Sequence, residues 1–308
     1  MVALGGGHGL AATLQALRRV TPHVTAVVTV ADDGGSSGRL REELGLLPPG
    51  DLRMALAALA GDDAWGRTWE RLLQHRFAGD GPLAGHAVGN LVLAGLTQTT
   101  GSVVEALDAV GRLLGGTGRV LPAACVPLEI TAQVLGHDPA AADALSEVRG
   151  QVAVATTPGQ VVAVALDPVD PPACEEAVEA VLAADWVVLG PGSWFTSVLP
   201  HLMVPELRAA LEATRASRLV ALNLVEQPGE TEGFAPETHL EVLLAHAPHL
   251  ALEVVVADEA AVVDSRGLMA AVEACGARLV LAPVAESDGS PRHDPVRLAA
   301  AYASVMTP

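Results

Sequence analysis

The sequence predicts an α/β protein with a doubly wound, mostly parallel sheet and a β-rich insertion. Three observations predict this class. Short apolar strands alternate with amphipathic helical segments, glycine-rich turns follow several strands, and Pro and Gly turns at about 119–167 break the alternation. The 308 residues contain no internal repeat or obvious linker, so the simplest assignment is one domain over 1–308.

The first unit is a strand, a turn, a helix and a second strand. Apolar residues 2–4 precede a glycine-rich turn at 5–9, and leucines at helical spacing then lead to a stop at Thr21 and Pro22. The β-branched run at 24–30 predicts the second strand. Such a unit makes a right-handed crossover between parallel strands, as in a Rossmann-like fold.

The later elements follow from the same periodicities and end signals. Helices are predicted over 52–60, 65–77, 90–97 and 103–114, and the short strands of the insertion over 120–130, 151–156 and 160–166. The alternation then resumes, with helices over 175–183, 205–214, 236–245 and 294–305 and strands over 186–189, 219–224, 252–257 and 278–281.

The composition excludes several classes of function. Acidic residues outnumber basic ones 36 to 18, giving a formal charge of -18, so nucleic acid is a poor partner. Every basic residue is Arg, which excludes a Walker A lysine and a Schiff-base lysine. We find no apolar run that would cross a bilayer and no signal-type N-terminal segment. We therefore expect a cytoplasmic protein without membrane insertion.

The three cysteines, Cys125, Cys174 and Cys275, form no C-x-x-C pair. Their wide spacing favours buried, reduced thiols over a metal or redox role. No redox cofactor is expected.

A glycine-rich turn follows the first strand and is a candidate phosphate site. Its members lack Cβ atoms, except for one histidine, so an anionic group can approach the backbone N–H donors at the start of a helix. The alternative is that these glycines serve only a tight turn and close helix packing. The predicted ligand-binding residues here are Gly5, Gly6, Gly7, His8 and Gly9.

Two adjacent acids, Asp32 and Asp33, follow the second strand. An acid at this distance from a glycine turn holds a ribose hydroxyl in dinucleotide-binding proteins. Here the acids lead into further phosphate-directed residues, which we predict as ligand contacts: Gly34, Gly35, Ser36, Ser37 and Arg39. One carboxylate would ligate Mg²⁺ on a phosphate, and both acids are predicted metal ligands. The alternative is a solvated turn with a helix cap.

Two more loops add candidate groups. Asp51 and Arg53 lie at a predicted helix start, where Asp51 either caps the helix or contacts the ligand. His86 and Asn90 lie in a short glycine-flanked loop, where His86 is either an acid or base or a structural histidine. The candidate catalytic residues are thus Asp32, Asp33, Asp51 and His86.

The second half contributes two loops that follow strands. We predict base, sugar or second-substrate contacts there, with ordinary αβ turns as the alternative. The residues are Gly190, Gly192, Ser193, Thr196, Asn223 and Gln227.

These motifs, in this order, resemble those of the YvcK-type gluconeogenesis factors. The most specific string is Val-Thr-Val-Ala-Asp-Asp-Gly-Gly-Ser-Ser-Gly-Arg-Leu-Arg at 28–41. The resemblance implies a CofD-like fold, related to the 2-phospho-L-lactate transferases, and binding of a nucleotide-sugar such as UDP-N-acetylglucosamine. It further implies a role in cell shape and envelope synthesis during gluconeogenic growth. One departure is His8, because the family usually carries Thr there.

Three hypotheses follow. The first is a nucleotide-sugar-binding regulator of envelope metabolism. The second is a CofD-like, Mg²⁺-dependent transferase acting on a nucleotide-activated phospho-substrate. The third, an NAD-dependent dehydrogenase, explains the first β-turn-α-β unit but leaves the Ser-Ser-Gly-Arg run unexplained. The sequence does not decide between substrate and signal, and it leaves the oligomeric state open, a homo-oligomer included.

Overall fold

A computed structural model describes residues 1–141, 143–262 and 265–306. Its strands, in chain order, are β1 (Val2–Gly5), β2 (Thr25–Val28), β3 (Arg119–Pro122), β4 (Glu129–Leu135), β5 (Leu145–Arg149), β6 (Gln160–Asp167), β7 (Trp186–Leu189), β8 (Ser217–Ala221), β9 (Val254–Asp258) and β10 (Arg278–Ala282).

The α-helices of the described residues are α1 (Gly7–Val20), α2 (Gly35–Leu44), α3 (Pro49–Ala58), α4 (Ala64–Gln74), α5 (Val88–Thr100), α6 (Val103–Leu113), α7 (Gln151–Ala155), α8 (Glu175–Leu182), α9 (Pro205–Ala213), α10 (Pro236–His246), α11 (Ser265–Ala274) and α12 (Pro295–Met306). A π-helical turn (Trp194–Val198) and a 3-10 turn (Leu199–Met203) join β7 to α9. None of these helices is both long and apolar enough to span a membrane.

Seven strands form one parallel sheet in the order β10-β9-β8-β7-β1-β2-β3. From β1 the chain first builds outward through β2 to β3, and it later returns to the other side of β1 and builds outward from β7 to β10. The strand order therefore reverses between β1 and β7, and ligands bind at such a point in open α/β sheets. The predicted doubly wound sheet is confirmed.

The other three strands form a small antiparallel sheet in the order β5-β4-β6. The predicted strand at 120–130 is wrong as a single element: β3 is the edge of the main sheet, and β4 begins the small one. The β-rich insertion thus starts its own sheet at Glu129.

The predicted strand at 151–156 is also wrong, because residues 151–155 form the short helix α7. The alternating valines of this segment suggested a strand. Gly150 precedes it with φ of 94°, and the Val152 N–H donates to the Asp33 carboxylate over 3.0 Å. A carboxylate on the first turn stabilises a helix start, so a distant contact overrides the local pattern.

The main core lies on both faces of the parallel sheet. Strand residues of β1, β2, β7 and β8 are buried, as expected when helices cover both faces. Helix α1 presents Leu10, Leu14 and Leu17 to this core, each at most 1% exposed. It also packs against α3 and α12, which fixes its N-terminus at the carboxyl end of β1.

Candidate functional site

The glycine turn after β1 lies at the reversal point of the sheet. Gly5 ends β1, Gly6 is the N-cap of α1 without any side-chain cap, and Gly7 has φ of 58°. A Cβ on Gly9 would lie 2.2 Å from the carbonyl oxygen of Pro191. The turn after β1 therefore touches the turn after β7, which only glycine permits.

A cleft of about 580 Å³ opens beside this contact. Its first wall is the α1 turn; the backbone N–H groups of a helix start can bind an anion, and here the Gly7 N–H already bonds to the Asp51 carboxylate. Eight predicted ligand residues line it: Gly6, Gly7, His8, Gly9, Gly192, Ser193, Asn223 and Gln227. The structure thus brings two sequence-distant loops together at one edge.

The second wall is held rigid by side-chain amides. Asn223 accepts from the Gly192 N–H and donates to the Gly192 carbonyl, both over 2.9 Å. Asn223 also donates to the side-chain oxygen of Gln227 over 3.1 Å, and this oxygen faces the Trp194 N–H. Gly190, with φ of 73°, precedes the turn in a buried position.

Glu230 organises the same wall and was not among the predicted site residues. It accepts from the Ser193 hydroxyl, from the Thr196 hydroxyl over 2.9 Å and from the Phe195 N–H over 3.1 Å. Burial raises the pKa of Glu230, although these donors oppose the rise. The hydroxyls of Ser193 and Thr196 therefore bond within the protein.

A third wall comes from the segment before α12, which sequence reasoning missed. It places Glu286, Arg292 and His293 on the cleft. Arg292 is exposed and pairs with Asp288 over 3.0 Å, so a guanidinium group stands at the rim. Burial lowers the pKa of His293 to about 4. The signal was the Ser-Pro-Arg-His-Asp-Pro run at 290–295, with a turn and an arginine ahead of a helix start.

The two adjacent acids after β2 diverge. Asp32 accepts from the Gly34 N–H over 2.9 Å, and its other oxygen faces Gly50, where a Cβ would lie only 2.4 Å away. Asp33 accepts from the Val152 N–H at the start of α7. Asp32 thus faces α3, whereas Asp33 bonds to the first turn of α7, which follows β5 of the small sheet.

Asp51 is the carboxylate that the fold brings close to Asp32. It lies in the first turn of α3, and a Cβ on Gly6 would meet its Oδ2 at 2.5 Å. Burial, and then the charge of Asp32, raise the pKa of Asp51 to about 7, while the Gly7 N–H bond and Arg53 oppose the rise. Asp51 therefore exchanges its proton near neutral pH.

Four other predicted site residues form a buried chain of hydrogen bonds. His86 Nδ1 pairs with the Ser36 hydroxyl over 3.0 Å, Asn90 donates to that hydroxyl over 3.0 Å, and Arg53 Nε donates to Asn90 over 2.9 Å. Burial, and then the charge of Arg39, lower the pKa of His86. This chain joins α2, α3 and α5.

The predicted contacts at 34–39 form the start of α2 and do not line the described 580 Å³ cleft. Gly34 is the N-cap, Gly35 has φ of 47°, Ser37 is buried, and Arg39 donates to the Ala84 carbonyl over 2.8 Å.

Two carboxylates beside the glycine turn would suit Mg²⁺, which commonly takes one or two protein carboxylates and completes its shell with phosphate and water. By position, Asp32 and Asp51 fit this role together, whereas Asp33 is turned toward α7. Among the described residues there is no cluster of three or more His, Cys, Asp or Glu side chains placed to hold a metal. The predicted Asp32 and Asp33 metal site stays a prediction.

Comparison with known proteins identifies the family. Residues 1–279 match the family described as 2-phospho-L-lactate transferase CofD. The chain belongs to the CofD family. A Mycobacterium tuberculosis relative named as a gluconeogenesis factor is 57% identical over 303 residues, covering 97% of this chain and 88% of the relative. A Listeria innocua relative named gluconeogenesis factor is 39% identical over 246 residues, covering 80% of this chain and 73% of the relative.

Two solved structures have a similar fold. A Bacillus halodurans protein of the UPF0052 family superposes with a TM-score of 0.86 at 32% identity, and the match covers 97% of both chains. A second structure of the Bacillus halodurans protein gives a TM-score of 0.84. The resemblance to gluconeogenesis factors is therefore confirmed as a family relationship, and the CofD-like fold as an architecture.

Proposed function

We propose that this CofD-family chain binds a nucleotide-sugar of the UDP-N-acetylglucosamine kind and acts as a gluconeogenesis factor that regulates envelope synthesis and cell shape. The observation that carries the proposal is the cleft at the strand-order reversal between β1 and β7. It combines the N-terminus of α1 with a rim guanidinium at Arg292, and both helix N-termini and arginine bind phosphate groups.

The dimensions and polarity of the cleft agree with such a ligand. A volume of about 580 Å³ lies within the usual range for small-molecule sites. The amide side chains of Asn223 and Gln227 line it, and Leu224 and Val225 add apolar surface. A diphosphate at the α1 turn would leave the base and the sugar in reach of these groups.

Calorimetry with UDP-N-acetylglucosamine, UDP and GDP tests the proposal. We expect wild-type protein to bind the uridine nucleotides and Gly9→Ala to bind at least about tenfold more weakly, because its Cβ would separate the two turns. Gly95→Ala is the matched control, since Gly95 also lies in a helix and its Cβ would meet open space. No heat with any uridine nucleotide would refute the proposal.

Arg292→Gln is a second variant for the case that Gly9→Ala fails to fold. Arg292 is exposed, so its removal leaves the core intact. A loss of about tenfold in nucleotide affinity is expected for one charge-assisted contact. Unchanged nucleotide affinity would show that Arg292 does not contact the ligand.

A second candidate function is a Mg²⁺-dependent transferase, which the Asp32 and Asp51 pair favours. A metal held there would neutralise charge on a transferring phosphoryl or leaving group. The test is Mg²⁺-dependent nucleotide binding and turnover by Asp32→Asn, with Asp33→Asn in parallel. If neither variant differs from wild type, the transferase assignment is wrong.

A further inference from the structure

A groove of about 400 Å³ lies beside the N-terminal half of α1. It adjoins the cleft of about 580 Å³, which we call the nucleotide cleft after its proposed ligand. Helices α1, α3 and α4 form its walls. His8, Ala11 and Gln15 line both cavities, and their spacing of three and four residues places them in one stripe along α1. This stripe is the partition between the two cavities.

Arg53 lines this groove and is only 4% exposed. Its Nε donates to Asn90, but its buried Nη1 has no hydrogen-bond partner among the residues that the structure describes. Buried guanidinium nitrogens are normally satisfied, because an unpaired donor forfeits its hydration without a replacement. Arg53 therefore offers a donor without an acceptor.

Arg76 lines the same groove and brings a second positive charge. Burial, and then this charge, lower the pKa of Arg53 to about 10, while Asp51 and Asp32 oppose the shift. Arg53 still carries its charge at neutral pH. Arg76 donates to the Gly85 carbonyl over 2.9 Å, an interaction that leaves its charge uncompensated.

Glu70 is the acidic residue of this groove, and no ion pair of the described residues joins it to Arg53 or Arg76. Gln15 and Gln74 add neutral hydrogen-bonding groups. The positive charge of Arg76 acts against that of Arg53, and two cations lining one groove are a local exception in a chain of net charge -18.

We propose that this groove binds a phosphate group, carried by a small molecule other than the nucleotide, between Arg53 and Arg76. A phosphate between Arg53 and Arg76 would accept charge-assisted hydrogen bonds from the guanidinium groups that line the groove and bring a double negative charge to the two cations. Because His8, Ala11 and Gln15 line both cavities, the second phosphate would lie next to the nucleotide cleft. The groove does not depend on which nucleotide occupies that cleft.

Titration of the full chain with inorganic phosphate, followed by calorimetry, tests the proposal. We expect saturable binding by wild-type protein and binding at least about tenfold weaker in Arg76→Gln, since one charge-assisted contact is lost. Arg71→Gln is the matched control, because Arg71 is an exposed α4 arginine outside the groove that bonds within its own helix. Arg53→Gln, after its thermal unfolding has been compared with wild type, should lose binding as well.

A parallel titration in saturating UDP-N-acetylglucosamine separates the two cavities. Binding of phosphate that persists there, and persists in Arg292→Gln, assigns it to the groove. If phosphate is displaced by the nucleotide or lost in Arg292→Gln but kept in Arg76→Gln, it belongs to the cleft and the proposal is wrong. Absence of saturable binding, or equal loss in Arg71→Gln, also overturns it. Failure of the nucleotide to bind would contradict the proposed function alone.

Discussion

Asp51 begins α3 against the glycine turn of β1, where burial and the charge of Asp32 raise its pKa to about 7. The native state therefore holds a proton that the unfolded chain releases near its ordinary value of 3.8. The contribution of Asp51 to stability therefore falls as the pH rises from 3.8 to about 7, and its whole penalty is present above that range. Because the Asp51 carboxylate lowers the stability of the fold, its presence agrees with a role in the candidate site.

Asp51→Asn should stabilise the protein at pH 8, because the amide keeps the shape without the charge. The expected gain in the free energy of unfolding is roughly 2 to 4 kcal/mol at pH 8 and close to nothing at pH 4. Urea unfolding at the two pH values measures it. Asp80→Asn, at an exposed aspartate, is the control. An equal gain at both pH values would show that the Asp51 charge is not the cause.

The glycines of the turns show how one residue type serves two purposes. Gly7 has a positive φ of 58°, which residues with a Cβ rarely adopt. Gly9 instead permits a close backbone approach to Pro191. The sequence presented ligand approach and close packing as alternatives, and the structure shows that packing accounts for Gly9, whereas the Gly7 N–H bonds to the Asp51 carboxylate.

At the scale of elements, Asp258 ties the end of β9 to the segment that forms the third wall. Its Oδ1 accepts from the Ala260 and Ala261 N–H groups, and its Oδ2 accepts from the Val284 and Ala285 N–H groups over 2.8 and 3.0 Å. Asp258 is 4% exposed, so these bonds are shielded from water. They set the course of the chain from β10 toward Arg292.

Asp258→Ala should destabilise the protein by on the order of 3 kcal/mol, because four backbone donors lose a buried charged acceptor. Asp258→Asn should cost less, since it keeps one acceptor oxygen. Urea unfolding ranks the two variants, and Asp288→Ala, at an exposed carboxylate beside Arg292, is the control. Equal stability of Asp258→Ala and wild type would show that the segment is held by other contacts.

At the scale of the whole molecule, His201 couples the sheet to the turn that follows β7. It is fully buried, and its ring nitrogens face the carbonyl oxygens of Val27 and Val198 over 3.0 and 3.2 Å. Burial lowers the pKa of His201 to about 4 from its ordinary value of 6.5, although the carbonyl contacts oppose the shift. The ring is therefore neutral at pH 7 and donates to one carbonyl at a time.

His201 should contribute a loss of stability in mild acid, opposite in sign to the contribution of Asp51. Between pH 6.5 and about 4 the unfolded chain binds a proton at His201 that the native state does not, so stability falls as the pH falls through this window. The contribution of His201 is up to about 3 kcal/mol. His201→Gln should flatten the decline in urea midpoint between pH 7 and pH 4, whereas a substitution at exposed His249 should not. An unchanged slope in His201→Gln would disprove the assignment.

Much of the architecture was readable from local signals. Strand periodicity, helix spacing and glycine turns depend on neighbours in the chain, so they predicted the parallel sheet and most of its helices. The prediction of a strand at 151–156 failed because Asp33, more than a hundred residues earlier, accepts a hydrogen bond from the Val152 N–H in the first turn of α7. Composition likewise predicted that any phosphate must meet arginine, backbone N–H groups or metal, since the chain has no lysine.

Only the tertiary structure determined which residues lie together in each candidate site. The sequence predicted that Asp32 and Asp33 act together. Side chains of these adjacent residues point in different directions, however, and the fold brings Asp32 close to Asp51 instead. The cleft needs the reversal of strand order to bring the turn after β1 to the turn after β7. Contacts between distant segments depend on sheet order and burial, and no local pattern encodes these.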